Sequence, residues 1–137
     1  MSQATPDPWK SVALDSYGAA LELNRGRYWR SAVSRAYFAA FSMVSGCLRE
    51  IGVAMPTGRE GPSHGGLADL VESNLTMLRA QDRPRLAGRL RNLYRLRIVA
   101  DYRPSVELVE ADVRSALRMM GDVFHWLKEK ADGQGRQ

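Results

Sequence analysis

Apolar positions along this chain recur every three to four residues, and no run alternates apolar and polar side chains between turn residues. That period predicts helices throughout, hence an all-α fold. A first helix is expected from about Pro8 to Asn24, with Pro8 suited to the first turn and Trp9, Val12, Ala13, Ala20 and Leu23 forming an apolar face. The longest follows, from about Arg27 to Ile51, with Val33, Tyr37, Ala40, Val44, Leu48 and Ile51 on one side and Gly52 as its stop. Five glycines and two prolines between Gly52 and Gly66 predict a loop. A third helix, opening near Ser63 or His64, turns Leu67, Leu70, Val71, Leu75 and Leu78 inward. A fourth is expected from about Arg83 to Asp101, because Pro104 disfavours helical geometry at Arg103. A fifth covers about Ser105 to Lys130 and packs Val109, Val113, Leu117, Met120, Phe124 and Leu127. Short connections between long amphipathic helices predict an antiparallel up-and-down four-helix bundle with one additional short helix. The reading takes residues 1–137 as a single helical domain with flexible ends at 1–8 and 131–137.

One stretch breaks the pattern. At about 100° per residue, Arg97 and Asp101 fall about 20° to either side of Leu90, inside the stripe of Leu86, Leu90, Leu93 and Tyr94. Taking a guanidinium and a carboxylate out of water costs several kcal/mol per ion, so the pair must either satisfy itself closely or line a polar cleft. Both side chains are therefore expected to face a groove.

Composition narrows the chemistry. With 137 residues, 45% hydrophobic and 26% charged, the chain has material for one core. Residues 1–8 are polar with no apolar leader segment, and nothing approaches the ~18 apolar residues of a membrane span, so a cytoplasmic location is expected. Cys47, within an apolar helix pattern, reads as a small buried hydrophobe, while two separated histidines, His64 and His125, supply no metal-ligand cluster; no metal or cofactor is expected. The net charge of +5 understates one region: between Arg79 and Arg103 lie eight arginines and two acids, Asp82 and Asp101. Guanidinium forks match phosphate oxygens, so this run reads either as a polyanion-binding surface or as an ordinary solvated face.

Two motifs carry a family likeness. Ser34-Arg35-Ala36-Tyr37-Phe38-Ala39-Ala40-Phe41 resembles the Arg-Ala-Tyr-Tyr-Ala segment of the HEPN (higher eukaryote and prokaryote nucleotide-binding) domains, and Arg97-x-x-Ala100-Asp101-Tyr102 is similar to the signature closing their penultimate helix. Order and spacing agree from about Trp9 to Leu127, as in the small stand-alone members, and His64 fits a histidine often seen opening the third helix. The resemblance implies a homodimer whose arginines face one cleft, used by many relatives as a metal-independent endoribonuclease. It also implies RNA as a partner, toxin or antiviral-defence settings, and pairing with a nucleotidyltransferase antitoxin. One element departs: nuclease members carry a histidine four to six residues after an arginine, and none follows Arg91, Arg95 or Arg97 at that spacing.

Cleavage through a neighbouring 2′-hydroxyl needs a base, an acid for the leaving 5′-oxygen and a cation for the phosphorane charge. The candidate catalytic residues are Arg97 as the cation, Asp101 as base and Tyr102 as acid; the alternative is a salt bridge tying the fourth helix to the second. RNA contacts are expected from Arg89, Arg91, Arg95 and Arg103, and a dimer or partner surface from Met119 and Trp126, on the side away from the fifth helix's apolar stripe. His64 could swing into a cleft, but reads first as a helix-start residue. Two functions stay open: an RNA-directed ribonuclease, or a non-catalytic dimerisation and adaptor module.

Overall fold

The computed structural model describes residues 7–54 and 61–135, with side chains as far as residue 128. Of the ends expected to be flexible, 1–6 and 136–137 lie outside the described residues, as do 55–60 of the glycine-rich loop. Five helices follow one another: α1 (Pro8–Arg25), α2 (Trp29–Glu50), α3 (Leu67–Asn74), α4 (Asp82–Tyr102) and α5 (Glu110–Gly135). No strand occurs among the described residues. The long helices α1, α2, α4 and α5 form the bundle, with the short α3 laid against α2 and α4.

Local chemistry sets the ends. Asp7 caps α1 by accepting from the Trp9 backbone N–H at 2.9 Å, with Pro8 in the first turn, where its missing N–H costs nothing. The α1–α2 turn closes through Tyr28 N–H donating to the Leu23 carbonyl at 2.9 Å, which puts Arg27 at φ 63° in the left-handed region. Asn74 donates to the Leu70 carbonyl at 3.0 Å as α3 ends, yet Leu75 and Leu78 remain buried in the turn that follows.

α2 packs against every other helix, so its buried surface is much wider than a stripe. Small residues make this close packing possible: Ala32, Ala36, Ala39, Ala40, Ser42, Ser45 and Gly46 are all buried. At Gly46, a Cβ would sit 2.8 Å from Lys10 Cγ on α1.

Two expectations are corrected at α5. The helix begins at Glu110 rather than Ser105, because Asp112 Oδ2 accepts the Val109 N–H at 3.0 Å, the carboxylate half of a capping box. Val109 is therefore an exposed cap residue rather than a core one. The buried arc of α5 is also rotated toward Ala116 and Val123, since the helix lies against both α2 and α4. Met119 falls inside that arc and is only 8% exposed, so it does not face outward as expected. Trp126 is half-buried against the core, and the Arg89 guanidinium covers its ring at 5.7 Å.

Candidate functional site

The site lies where the C-terminal end of α4 meets α2. A helix end leaves its last carbonyls without intrahelical partners. Here Arg30 of α2 meets them: Nη1 donates to Val99 O at 3.0 Å, which also accepts the Arg103 N–H, to Ala100 O at 3.1 Å and to Arg103 O at 3.2 Å, and Nη2 donates to Pro104 O at 3.4 Å and to Val106 O. One guanidinium thus gathers the helix end and the turn after it, fixing the backbone that carries Arg97, Asp101 and Tyr102.

Arg97 Nε donates to Asp101 Oδ2 at 2.9 Å, and Ser34 Oγ on α2 donates to the same oxygen at 3.0 Å. The carboxylate therefore joins α4 to α2. The Arg97 side chain is 13% exposed and that of Asp101 28%, so the arginine is turned in and the carboxylate is reachable. The Arg97 guanidinium carbon lies 5.9 Å from the Tyr37 ring centroid, 5.3 Å from Phe38 and 5.2 Å from Tyr102, so three aromatic rings surround it. Tyr102 is 63% exposed and its hydroxyl is 3.5 Å from Arg97 Nη2. Among the described residues no carboxylate meets Nη1 or Nη2 of Arg97, although Asp101 holds its Nε.

The rest of the arginine run divides. Arg89 pairs with Asp122 of α5 at 3.1 Å, and Arg91 pairs with Asp69 at 3.1 Å and Glu72 at 3.0 Å, both on α3. These two guanidiniums hold helices together. Arg95 is exposed and bonds only the neighbouring Asn92 side chain, and Arg103 is exposed beyond the helix end.

Two residues enter the site that sequence reasoning missed. Arg30 left no signal, because its partners are main-chain carbonyls, which carry no sequence identity. His64 was weighed as a helix-start residue, yet α3 begins at Leu67 and the His64 ring instead packs among Tyr37, Phe38, Phe41 and Tyr94, with its Nδ1 2.7 Å from Tyr37 Oη. Burial pushes the Tyr37 phenol well above its usual range, with the Arg97 charge partly opposing it. Burial first, and then the Arg97 charge, hold His64 below 6.5, so the imidazole is neutral at pH 7.

A family model described as HEPN domain matches residues 7–130. No curated protein and no solved structure matches the chain.

Proposed function

The chain belongs to the HEPN family, and from that premise we propose that it is an RNA-directed protein, a metal-independent endoribonuclease acting as a toxin or antiviral-defence effector. The observation that carries the reading is the state of Arg97. It is turned in among three aromatic rings with its terminal nitrogens uncommitted to any carboxylate among the described residues, whereas Arg89 and Arg91 are committed. A guanidinium fixed through Nε with no carboxylate on its fork is pre-organised for phosphate oxygens. In the reaction, the 2′-oxygen bonds to phosphorus as the bond to the 5′-oxygen breaks. Asp101 takes the 2′-hydroxyl proton, Tyr102 gives its proton to the leaving oxygen, and Arg97 balances the phosphorane charge. Arg95 and Arg103, exposed beside this segment, extend the contact along the strand. We keep a homodimer as part of the proposal, with light scattering as its test; a species of one chain's mass at micromolar concentration rejects it.

The cleavage test uses purified protein with single-stranded RNA and tRNA, with and without a chelator. Cleavage is expected in both, and Arg97→Ala should lower the rate by ~10²–10³. Wild-type protein that leaves both RNAs uncut, with no inhibitory partner present, overturns the nuclease reading.

One observation favours the second reading, a non-catalytic adaptor paired with a nucleotidyltransferase. Asp101 Oδ2 already accepts from both Arg97 and Ser34, as a structural clamp between helices does. Asp101→Asn weakens that clamp under either reading, and where wild-type protein cleaves RNA it should also abolish cleavage in protein that is still folded.

A further inference from the structure

Beside Arg97 lies a polar contact that has no part in the chemistry above. Tyr37 is 1% exposed, and its hydroxyl meets His64 Nδ1 at 2.7 Å. A buried phenol needs an acceptor for its proton, and among the described residues Nδ1 is the acceptor in reach. When the phenol donates to Nδ1, the neutral imidazole must carry its own proton on Nε2. The two ring nitrogens project in roughly opposite directions, so Nε2–H faces away from the buried hydroxyl.

His64 and Arg97 also share a floor. Phe38 lies 5.9 Å from the His64 ring and 5.3 Å from the Arg97 guanidinium carbon, and Tyr37 lies 5.5 Å and 5.9 Å from the same two groups. Imidazole and guanidinium thus flank the same pair of rings. We propose that His64 is a second phosphate-binding group beside Arg97: held in one tautomer by the Tyr37 hydroxyl, it presents Nε2–H to the RNA backbone that Arg97 binds. This assignment rests on the RNA-directed reading and adds a residue to it. Its titratable and charged neighbours are Tyr37 on α2 and Arg91, Tyr94 and Arg97 on α4, while α3 turns Leu67 and Ala68 toward it. Partial burial and the nearby Arg97 guanidinium disfavour a second cation, so His64 works as a neutral donor.

Long-range proton–nitrogen spectra of the intact protein near neutral pH read the tautomer directly. The Nε2–H form is expected, with a mixture of tautomers in Tyr37→Phe. Anisotropy with a labelled oligouridine RNA reads the contact: His64→Phe keeps the ring packing but removes the donor, and should weaken binding on the order of tenfold. His64→Gln, whose amide can donate, should recover part of that loss, and wild-type affinity should stay flat above neutral pH. An Nδ1–H tautomer, or His64→Phe binding like wild type, overturns the assignment alone. Wild-type protein with no affinity for the RNA overturns the RNA-directed reading and this assignment together.

Discussion

Arg30→Met removes a guanidinium but keeps the apolar stem, so it isolates the capping of α4. The carbonyls it strands are unequal. Those of Arg103, Pro104 and Val106 are exposed and can turn to water, that of Val99 keeps the Arg103 N–H at 3.2 Å, and that of Ala100 is part-buried and faces Pro104, which has no N–H to give. A hydrogen bond to a charged group contributes about 1.5–3 kcal/mol when well shielded, which partial exposure reduces to about 1 kcal/mol for the Ala100 carbonyl. A cation at a helix C-terminus adds about 0.3–1 kcal/mol. The expected loss is therefore about 1–2 kcal/mol, which for a domain of this size lowers Tm by roughly 4–8 °C. Urea and thermal unfolding followed by circular dichroism measure it. Arg30→Lys keeps the charge without the fork and should recover less than half of the loss. Because Arg97 and Asp101 lie in the last turns of the same helix, RNA affinity should fall in Arg30→Met even well below its melting temperature. A variant within about 0.5 kcal/mol of wild type would refute the reasoning, since water would then satisfy those carbonyls as well as Arg30 does.

Four further outcomes follow from the geometry. Gly46→Ala forces a methyl against Lys10 Cγ, where only 2.8 Å is available, and should destabilise by about 1–3 kcal/mol in urea unfolding. Arg27→Gly relieves a left-handed residue at φ 63° and should stabilise by up to about 1 kcal/mol, read as a higher denaturation midpoint. Because His64 binds its proton more weakly folded than unfolded, its contribution to stability is full above about pH 6.5 and is lost as the pH falls through the lower folded value; that acid slope should shrink in His64→Gln. Neutralising Arg95 or Arg103 should lower the slope of log RNA affinity against log salt by about one unit each, whereas Arg89→Gln and Arg91→Gln should leave it unchanged and weaken the fold instead.

The helices were legible because burial on one side of a helix leaves a period that survives any detail of packing. Leu86, Leu90 and Leu93 are buried as their spacing predicts, and Pro104 ends α4 within a residue or two of its expected stop. What the period cannot give is the width of the buried arc, which depends on how many neighbours a helix has. Met119 shows this: a projection assuming one covered stripe turns it outward, but α5 lies between α2 and α4 and buries it. The start of α5 was missed for a different reason. Its cap is formed by Asp112 reaching back to Val109, without the serine or threonine that would have marked it.

The charged pair was legible as an anomaly on an apolar stripe. Its surroundings were not, because they come from far along the chain: Ser34 reaches Asp101 from α2, and His64 reaches Tyr37 from a loop outside any periodic segment. The arginine run misled in part for the same cause. Counting neighbours along the sequence finds two acids among eight arginines, but in the fold Asp69, Glu72 and Asp122 arrive from other helices and neutralise the middle of the run.

That neutralisation leaves Arg95 and Arg103 without a carboxylate at the C-terminal end of α4, beside Arg97, whose Nε alone is paired with Asp101. A helix C-terminus is a poor place for an anion, since its free carbonyls carry roughly half a negative charge that would push a phosphate away from Arg97. Arg30 removes the objection. By placing a cation on the carbonyls of Val99 and Ala100, it cancels the negative helix end while leaving the Arg97 fork untouched. The two arginines therefore have separate tasks on one helix terminus: one satisfies the main chain, and the other is left to meet a ligand. An anion site at this end of α4 needs both, and Arg30→Met should therefore weaken RNA binding through the field at Arg97 as well as through loss of order.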